Sequence, residues 1–239
     1  MRFVYPHVAP PLVLFGIPVL ALVVVVLFVV ALRRAGVGLA AAVGATAAWV
    51  AAFGVAAASG ILSRADLRPP PMALMIVAII SGALLFGLSR FGERVALTVP
   101  LWALVGVHAF RLPLELVMHQ ASIAGVMPTQ LTFGDGGFNY DIVTGTTAIV
   151  VAGLIAIGRA PRALVIGWNV MGLGFLVVIA GIAIATAPFV RAFGPGSVNT
   201  WVTYVPFVWL PGVLVPAAIA GHVVALRGAM SARTRASRR

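Results

Sequence analysis

The chain has 239 residues, of which 62% are hydrophobic and only 9% charged, with a formal net charge of +11. Soluble domains carry about 25% charged residues, so there are too few polar groups here to cover a water-facing surface. Composition therefore excludes a soluble globular domain and a disordered chain, and leaves a polytopic membrane protein. There is no cysteine, which removes disulfides, thiolate metal sites and cysteine nucleophiles. All 16 basic residues are arginine, so no lysine Schiff base can form.

Seven apolar runs, at 11–32, 37–62, 72–89, 95–120, 142–158, 163–189 and 204–226, are read as spans of a hydrocarbon core about 30 Å thick, which takes about 20 helical residues. They show no period of two and are too long for barrel strands. The expectation is an all-α, single-domain bundle of seven transmembrane helices, followed by a basic tail at 227–239. The first run is followed, not preceded, by its arginines (Arg33, Arg34). It reads as an anchor with a translocated N-terminus and not as a cleavable signal.

Arginine counting sets the orientation. Arg33, Arg34, Arg90, Arg94, Arg159, Arg162, Arg227, Arg233, Arg235, Arg238 and Arg239 fall on one side of the seven runs, and Arg2, Arg64, Arg68 and Arg191 on the other. The rich side is expected to be cytoplasmic, with the N-terminus outside. The positive charge is thus a topology signal, with anionic lipid headgroups as its partner and no nucleic acid.

The fourth run carries the chemistry, in VHAFRLPLELVMHQ. At 100° per residue, His108, Arg111, Glu115 and His119 share an arc of about 80° and climb about 16 Å. An ionisable residue at membrane depth is a functional candidate by default. Arg111 and Glu115 are i,i+4 neighbours that can neutralise each other, and Pro113 between them removes an amide and distorts the helix. Read functionally, the stripe is a pocket open to the outer side. Arg111 and His108 would bind ligand, and Glu115 and His119 would exchange protons. Read structurally, the Arg111–Glu115 pair only fixes how helices dock.

The longest loop, 121–141, brings Asn139 and Asp141 to the outer end. Asp141 fits an N-cap of the fifth helix and, with Asn139, a rim of the pocket. Glu115, His119 and Asp141 form a weak metal set, against which Arg111 argues. The sixth helix carries Trp168 and Asn169, and the seventh carries His222 and three prolines, Pro206, Pro211 and Pro216. Asn169 and His222 suit packing glue between helices or the inner end of a polar path. His222 lies five residues from Arg227, which places it about 12 Å from the depth of His108, too far for shared haem ligation. Trp201 and Tyr204 fit an interfacial aromatic belt. No metal site or cofactor is assigned.

Three stretches, FRLPLELVMHQASIAGVMPTQLTFGDGGFNYDIVTG, GWNVMGLG and the segment from Asn199-Thr200 into FVWLPGVLVPAAIAGH, together resemble a group of uncharacterised small bacterial multi-pass inner-membrane proteins. The resemblance covers about the C-terminal three-fifths of the chain. It implies a bacterial cytoplasmic membrane and transfers no catalytic role. The function expected from the residues is binding, transport or processing of a small or lipid-like ligand, with acid–base chemistry on a lipophilic substrate as its enzymatic form. The alternative is a non-catalytic structural or assembly subunit of a membrane complex.

Overall fold

The computed structural model describes residues 9–236, and side chains to residue 231. Arg2, His7 and the tail arginines Arg233, Arg235, Arg238 and Arg239 lie outside the described side chains. The fold is all-α. In chain order it comprises α1 (Pro11–Arg34), α2 (Leu39–Ala58), α3 (Pro71–Leu88), α4 (Arg90–Thr98), α5 (Leu101–Gly106), α6 (Arg111–Ile123), α7 (Asp141–Ala156), α8 (Arg162–Ala185) and α9 (Val215–Ala236).

Among the described residues, six helical segments are long and apolar enough to cross a membrane: α1, α2, α3, the composite Leu101–Ile123, α8 and Leu210–Ser231. The segment expected as the fifth of seven spans, α7, has 16 residues, about 24 Å at 1.5 Å per residue. That is short of the 30 Å core, so length alone gives six spans and one shorter apolar helix.

Three boundaries differ from the sequence reading, each for a local reason. The fourth run does not start at 95. Ser89 caps α4 by accepting from the amides of Phe91 and Gly92, both at 3.1 Å, and Pro100 then separates α4 from α5. The long helix reaches α6 only through a 3₁₀ turn, Val107–Phe110, just before Pro113. The last span begins at Leu210, not at 204. Pro216 lacks the amide that would bond the Gly212 carbonyl, and the chain widens into a π-turn over Leu210–Leu214. The Trp49 indole donates to that Gly212 carbonyl at 2.7 Å, and Trp209 donates to Val50 at 3.3 Å. Two tryptophans thus tie α2 to the broken start of α9. Residues 227–236 continue α9 as helix.

The bundle has two unlike ends. At one, Arg227 donates to the Gly87 and Ser89 carbonyls at 2.7 and 2.8 Å and pairs with Glu93 at 3.3 Å, while Arg162 donates to the Ala229 carbonyl at 3.0 Å. This arginine-rich end gathers the short connections. The opposite end carries the longer loops, 124–140 and 186–209, tied together by a Gln130–Ser197 hydrogen bond of 3.2 Å. Trp201 does not sit in an interfacial belt. It is 1% exposed and packs on Phe207, because the loop folds inward over the bundle.

Candidate functional site

An apolar helix that buries a charge has to find it a partner, since lipid offers none. Arg111 opens α6 and is 1% exposed. Its partner is not Glu115. The guanidinium makes an ion pair with Asp141, the first residue of α7, and its Nη1 lies 3.0 Å from Nε2 of His222 on α9. The i,i+4 pairing expected from sequence is therefore replaced by an interhelical one. Asp141 correspondingly does not act as an N-cap: α7 has no side-chain cap hydrogen bond at its start, and the carboxylate is turned to Arg111.

The approach of α7 to α6 depends on Gly145. A Cβ there would stand 2.3 Å from the Leu112 amide nitrogen, so only glycine lets the two backbones come close enough for Asp141 to reach Arg111. Gly172 on α8 does the same for His222, since a Cβ would meet the ring at 2.4 Å. These two glycines were not singled out from the sequence. Their signal is a small residue one helical turn from polar ones, in DIVTG and WNVMG.

The hydrogen-bond directions follow from donor and acceptor chemistry. A guanidinium only donates, so His222 Nε2 accepts and the ring proton sits on Nδ1. Nδ1 then donates to Asn169 Oδ1 at 2.9 Å, and Asn169 Nδ2 donates onward to the Val165 carbonyl at 2.8 Å. The contact expected between Asn169 and His222 is present, and it is the continuation of Arg111.

Towards the loop-bearing end, Asn139 Nδ2 donates to Glu115 at 2.8 Å and to the Leu131 carbonyl at 3.1 Å, while its Oδ1 accepts from the Asp141 amide at 3.0 Å. The loop is folded back to seat it, with Phe138 and Asn139 amides bonded to Gln130 and Thr132 carbonyls. Among the described residues no cation lies within ion-pair distance of Glu115. A continuous polar line thus runs Glu115–Asn139–Asp141–Arg111–His222–Asn169 across α6, α7, α9 and α8.

His119 stands apart. It is half-buried, stacks on Phe133 and lies 3.5 Å from Thr132 Oγ1, with no hydrogen bond to Glu115, so the expected acid–base couple is not assembled. His108 is fully buried, and its ring stacks on His222 with centroids 3.8 Å apart. The expected depth difference of about 12 Å is overturned by that stack, which puts His222 level with His108 inside the bundle. The tight stack leaves no room for a porphyrin between the rings. Among the described residues no three His, Asp or Glu are arranged to hold a metal ion. Trp168 closes the inner side, near both histidines and donating to Thr147 at 2.9 Å.

The site is sealed. Arg111, Glu115, Asn139, Asp141, Asn169 and His222 are all buried, none more than 6% exposed. The pocket open to the outside, expected from sequence, is closed in this structure: the 124–140 loop covers it. Several buried atoms inside the seal nevertheless have no hydrogen-bond partner among the described residues: Asp141 Oδ1, Thr144 Oγ1 and at least one ring nitrogen of His108, whose ring has the Gly221 backbone beside it as a polar neighbour. Buried polar atoms are otherwise paired in the large majority of cases.

Comparison with protein-family models, with curated proteins and with solved structures returns no match.

Proposed function

We propose that this multi-pass membrane protein works through an occluded intramembrane site centred on Arg111, which takes the anionic or carbonyl group of a small or lipid-like ligand. In this reading Asp141 stands in for the ligand's oxygen while the site is closed. A ligand replacing it would also meet the unpartnered atoms of His108 and Thr144. Glu115 and His119, on the loop side, are the groups that would exchange a proton on entry, and Asn139 and Asp141 form the gate. His222 and Asn169 would carry the polar line towards the arginine-rich end, as transport requires. The arginine asymmetry supports that end as cytoplasmic, with α7 as a seventh, thin span, the N-terminus outside and anionic lipid at the cytoplasmic connections. The family resemblance supports a bacterial inner membrane.

The observation that carries this reading is the cluster of unpartnered buried polar atoms around an ion pair in the membrane interior. A purely structural seam gains nothing from them, since each costs about 1–3 kcal/mol. The test is native mass spectrometry of the gently extracted protein, wild type against R111L/D141L, which replaces the ion pair by an apolar one. The expected result is a small bound molecule on the wild type that is missing from the folded double variant. A wild type without such a molecule, or a double variant that keeps it, overturns the assignment.

The sealing of Arg111 favours a second reading, a docking element of a membrane assembly. There, R111L/D141L would leave both stability and assembly intact, because replacing a buried ion pair by apolar residues is often neutral or stabilising.

A further inference from the structure

The arginine-rich end holds more positive charge than its own contacts use. Of the five acids in the chain, only Glu93 lies at this end, and it is paired with Arg227 at 3.3 Å. Arg162 is spent on the Ala229 carbonyl. Arg33 gives only Nη1, to the Val37 carbonyl at 3.2 Å. Arg33, Arg34, Arg90 and Arg94 are all exposed, and among the described residues no acid stands within ion-pair distance of any of them.

Two of these arginines are set side by side by α4. Its buried face is Gly92, Val95 and Ala96. Gly92 lies so close to the end of α3 that a Cβ there would stand 2.5 Å from the Phe86 carbonyl. At about 100° per residue, Arg90 and Arg94 then fall one turn apart on the opposite, outward face, with Leu97 between them in direction. The Arg94 guanidinium lies over the Phe91 ring, 5.8 Å from its centroid, and Phe91 and Leu97 are themselves exposed. A helix with outward arginines and exposed apolar side chains among them has the composition of one lying in the membrane interface. Helix α1 packs beside it. Ala31 and Ala35, at the end of α1, share an apolar cluster with Val95 and Ala96, so the chain end bearing Arg33 and Arg34 is brought to α4.

We infer that α4 seats one anionic phospholipid, whose phosphate is held by Arg90 and Arg94 while the Arg33–Arg34 end of α1 adds positive charge beside it. Guanidinium groups match phosphate oxygens in geometry and charge, and the one acid of this end is turned away to Arg227. The surroundings select a lipid over a soluble phosphate. Exposed Leu88 at the end of α3, and exposed Leu27 and Val30 along α1, give acyl chains an apolar surface running from the headgroup into the membrane. The inference rests on the reading of the arginine-rich end as the one that faces anionic lipid, and narrows it from a diffuse attraction to one place. It is independent of the Arg111 site.

The test uses the full chain in detergent, read by native mass spectrometry during titration with phosphatidylglycerol, with phosphatidylcholine, and separately with inorganic phosphate. Each arginine near a headgroup contributes about a five-fold gain in affinity. The expected result is preferential binding of one phosphatidylglycerol, weakened about 25-fold in R90Q/R94Q and largely kept in R90K/R94K. Both side chains are exposed, so the glutamine variants are expected to unfold at the wild-type temperature. R90Q alone, the milder change, is expected to read about a five-fold loss. The charge-matched control R68Q/R159Q removes two arginines elsewhere and is expected to change little, and folded R111L/D141L is expected to keep the lipid. If R68Q/R159Q weakens binding equally, the attraction is diffuse and the site is overturned. A wild type that prefers phosphatidylglycerol with no dependence on Arg90 and Arg94 overturns the site alone, whereas a wild type without that preference overturns the reading of this end as well. Inorganic phosphate bound with the same arginine dependence, and no lipid preference, overturns the assignment to lipid.

Discussion

Helix α2 and the composite segment Leu101–Ile123 that ends in α6 are both apolar enough to cross a membrane, yet they are held in opposite ways. In the most apolar stretch of α2 only 17% of residues are buried, against 50% in Leu101–Ile123. The buried polar residue of α2, Thr46, satisfies itself on its own helix, donating to the Ala42 carbonyl at 2.7 Å. Arg111 and Glu115 do the reverse: they bond to α7, to α9 and to the loop before α7. Between helices in lipid there is no hydrophobic drive, so small contacts and interhelical polar bonds decide the arrangement. The apolar first hundred residues supply three of the membrane-crossing helices, and the polar residues from His108 onward determine which helices meet.

The strongest way to break that contrast is to remove one member of the buried ion pair. R111L leaves the Asp141 carboxylate buried without its cation, at a cost of about 3–5 kcal/mol. The expected outcome is loss of folded protein on extraction, with the double variant R111L/D141L recovering most of the thermal stability. A comparable change in α2, T46V, is expected to stay within about 0.5 kcal/mol. If R111L unfolds no more readily than T46V, the pair does not organise the second half.

Next in size comes a comparison within one helix. Gly145 faces the α6 backbone, and an added methyl group meets main-chain atoms that cannot rotate away. Gly153, two turns further along α7, has nothing within 4 Å of its Cβ position. G145A is expected to cost about 1–3 kcal/mol and to weaken whatever binding depends on Arg111. G153A is expected to be neutral within about 0.5 kcal/mol. Thermal unfolding of both variants in the same detergent checks the difference. N169A should rank below G145A. It takes the acceptor from His222 Nδ1, and a polar bond between membrane helices contributes about 0.6–1.7 kcal/mol.

These ranks also show what could be read from sequence and why. The membrane class and six of the spans follow from composition and run length, because insertion is decided by the sum over about 20 residues. The polar stripe of the fourth run was legible because Arg111 and Glu115 stand out against leucine and valine. Their partners were not. Arg111 could be given Glu115 by helical spacing, but which neighbouring helix offers a better carboxylate depends on how closely backbones approach, and Gly145 decides that without any charge or motif. The depth of His222 is not legible from its distance to Arg227, because that arginine's guanidinium reaches sideways to the carbonyls of Gly87 in α3 and of Ser89, the cap of α4. Pro216 announced a distortion in the last span, but not that Trp49 would bond the carbonyl it frees.

The smallest effect concerns the surface pair Arg64–Asp66, and it sharpens the contrast between a buried ion pair and an exposed one. The Arg64 guanidinium beside Asp66, by hydrogen bond first, holds its carboxyl well below the usual carboxylate range, and the pair is exposed, with about half of each side chain accessible to solvent. A depressed carboxyl stabilises the folded state above its unfolded value, about 3.9, and loses that contribution as pH falls through the lower folded value. Across neutral to mildly acidic pH the pair is therefore constant, and wild type and D66N should unfold at temperatures that differ little, by a constant amount, converging only in strong acid. Exposed pairs are weak, so this shift should be smaller than that of N169A.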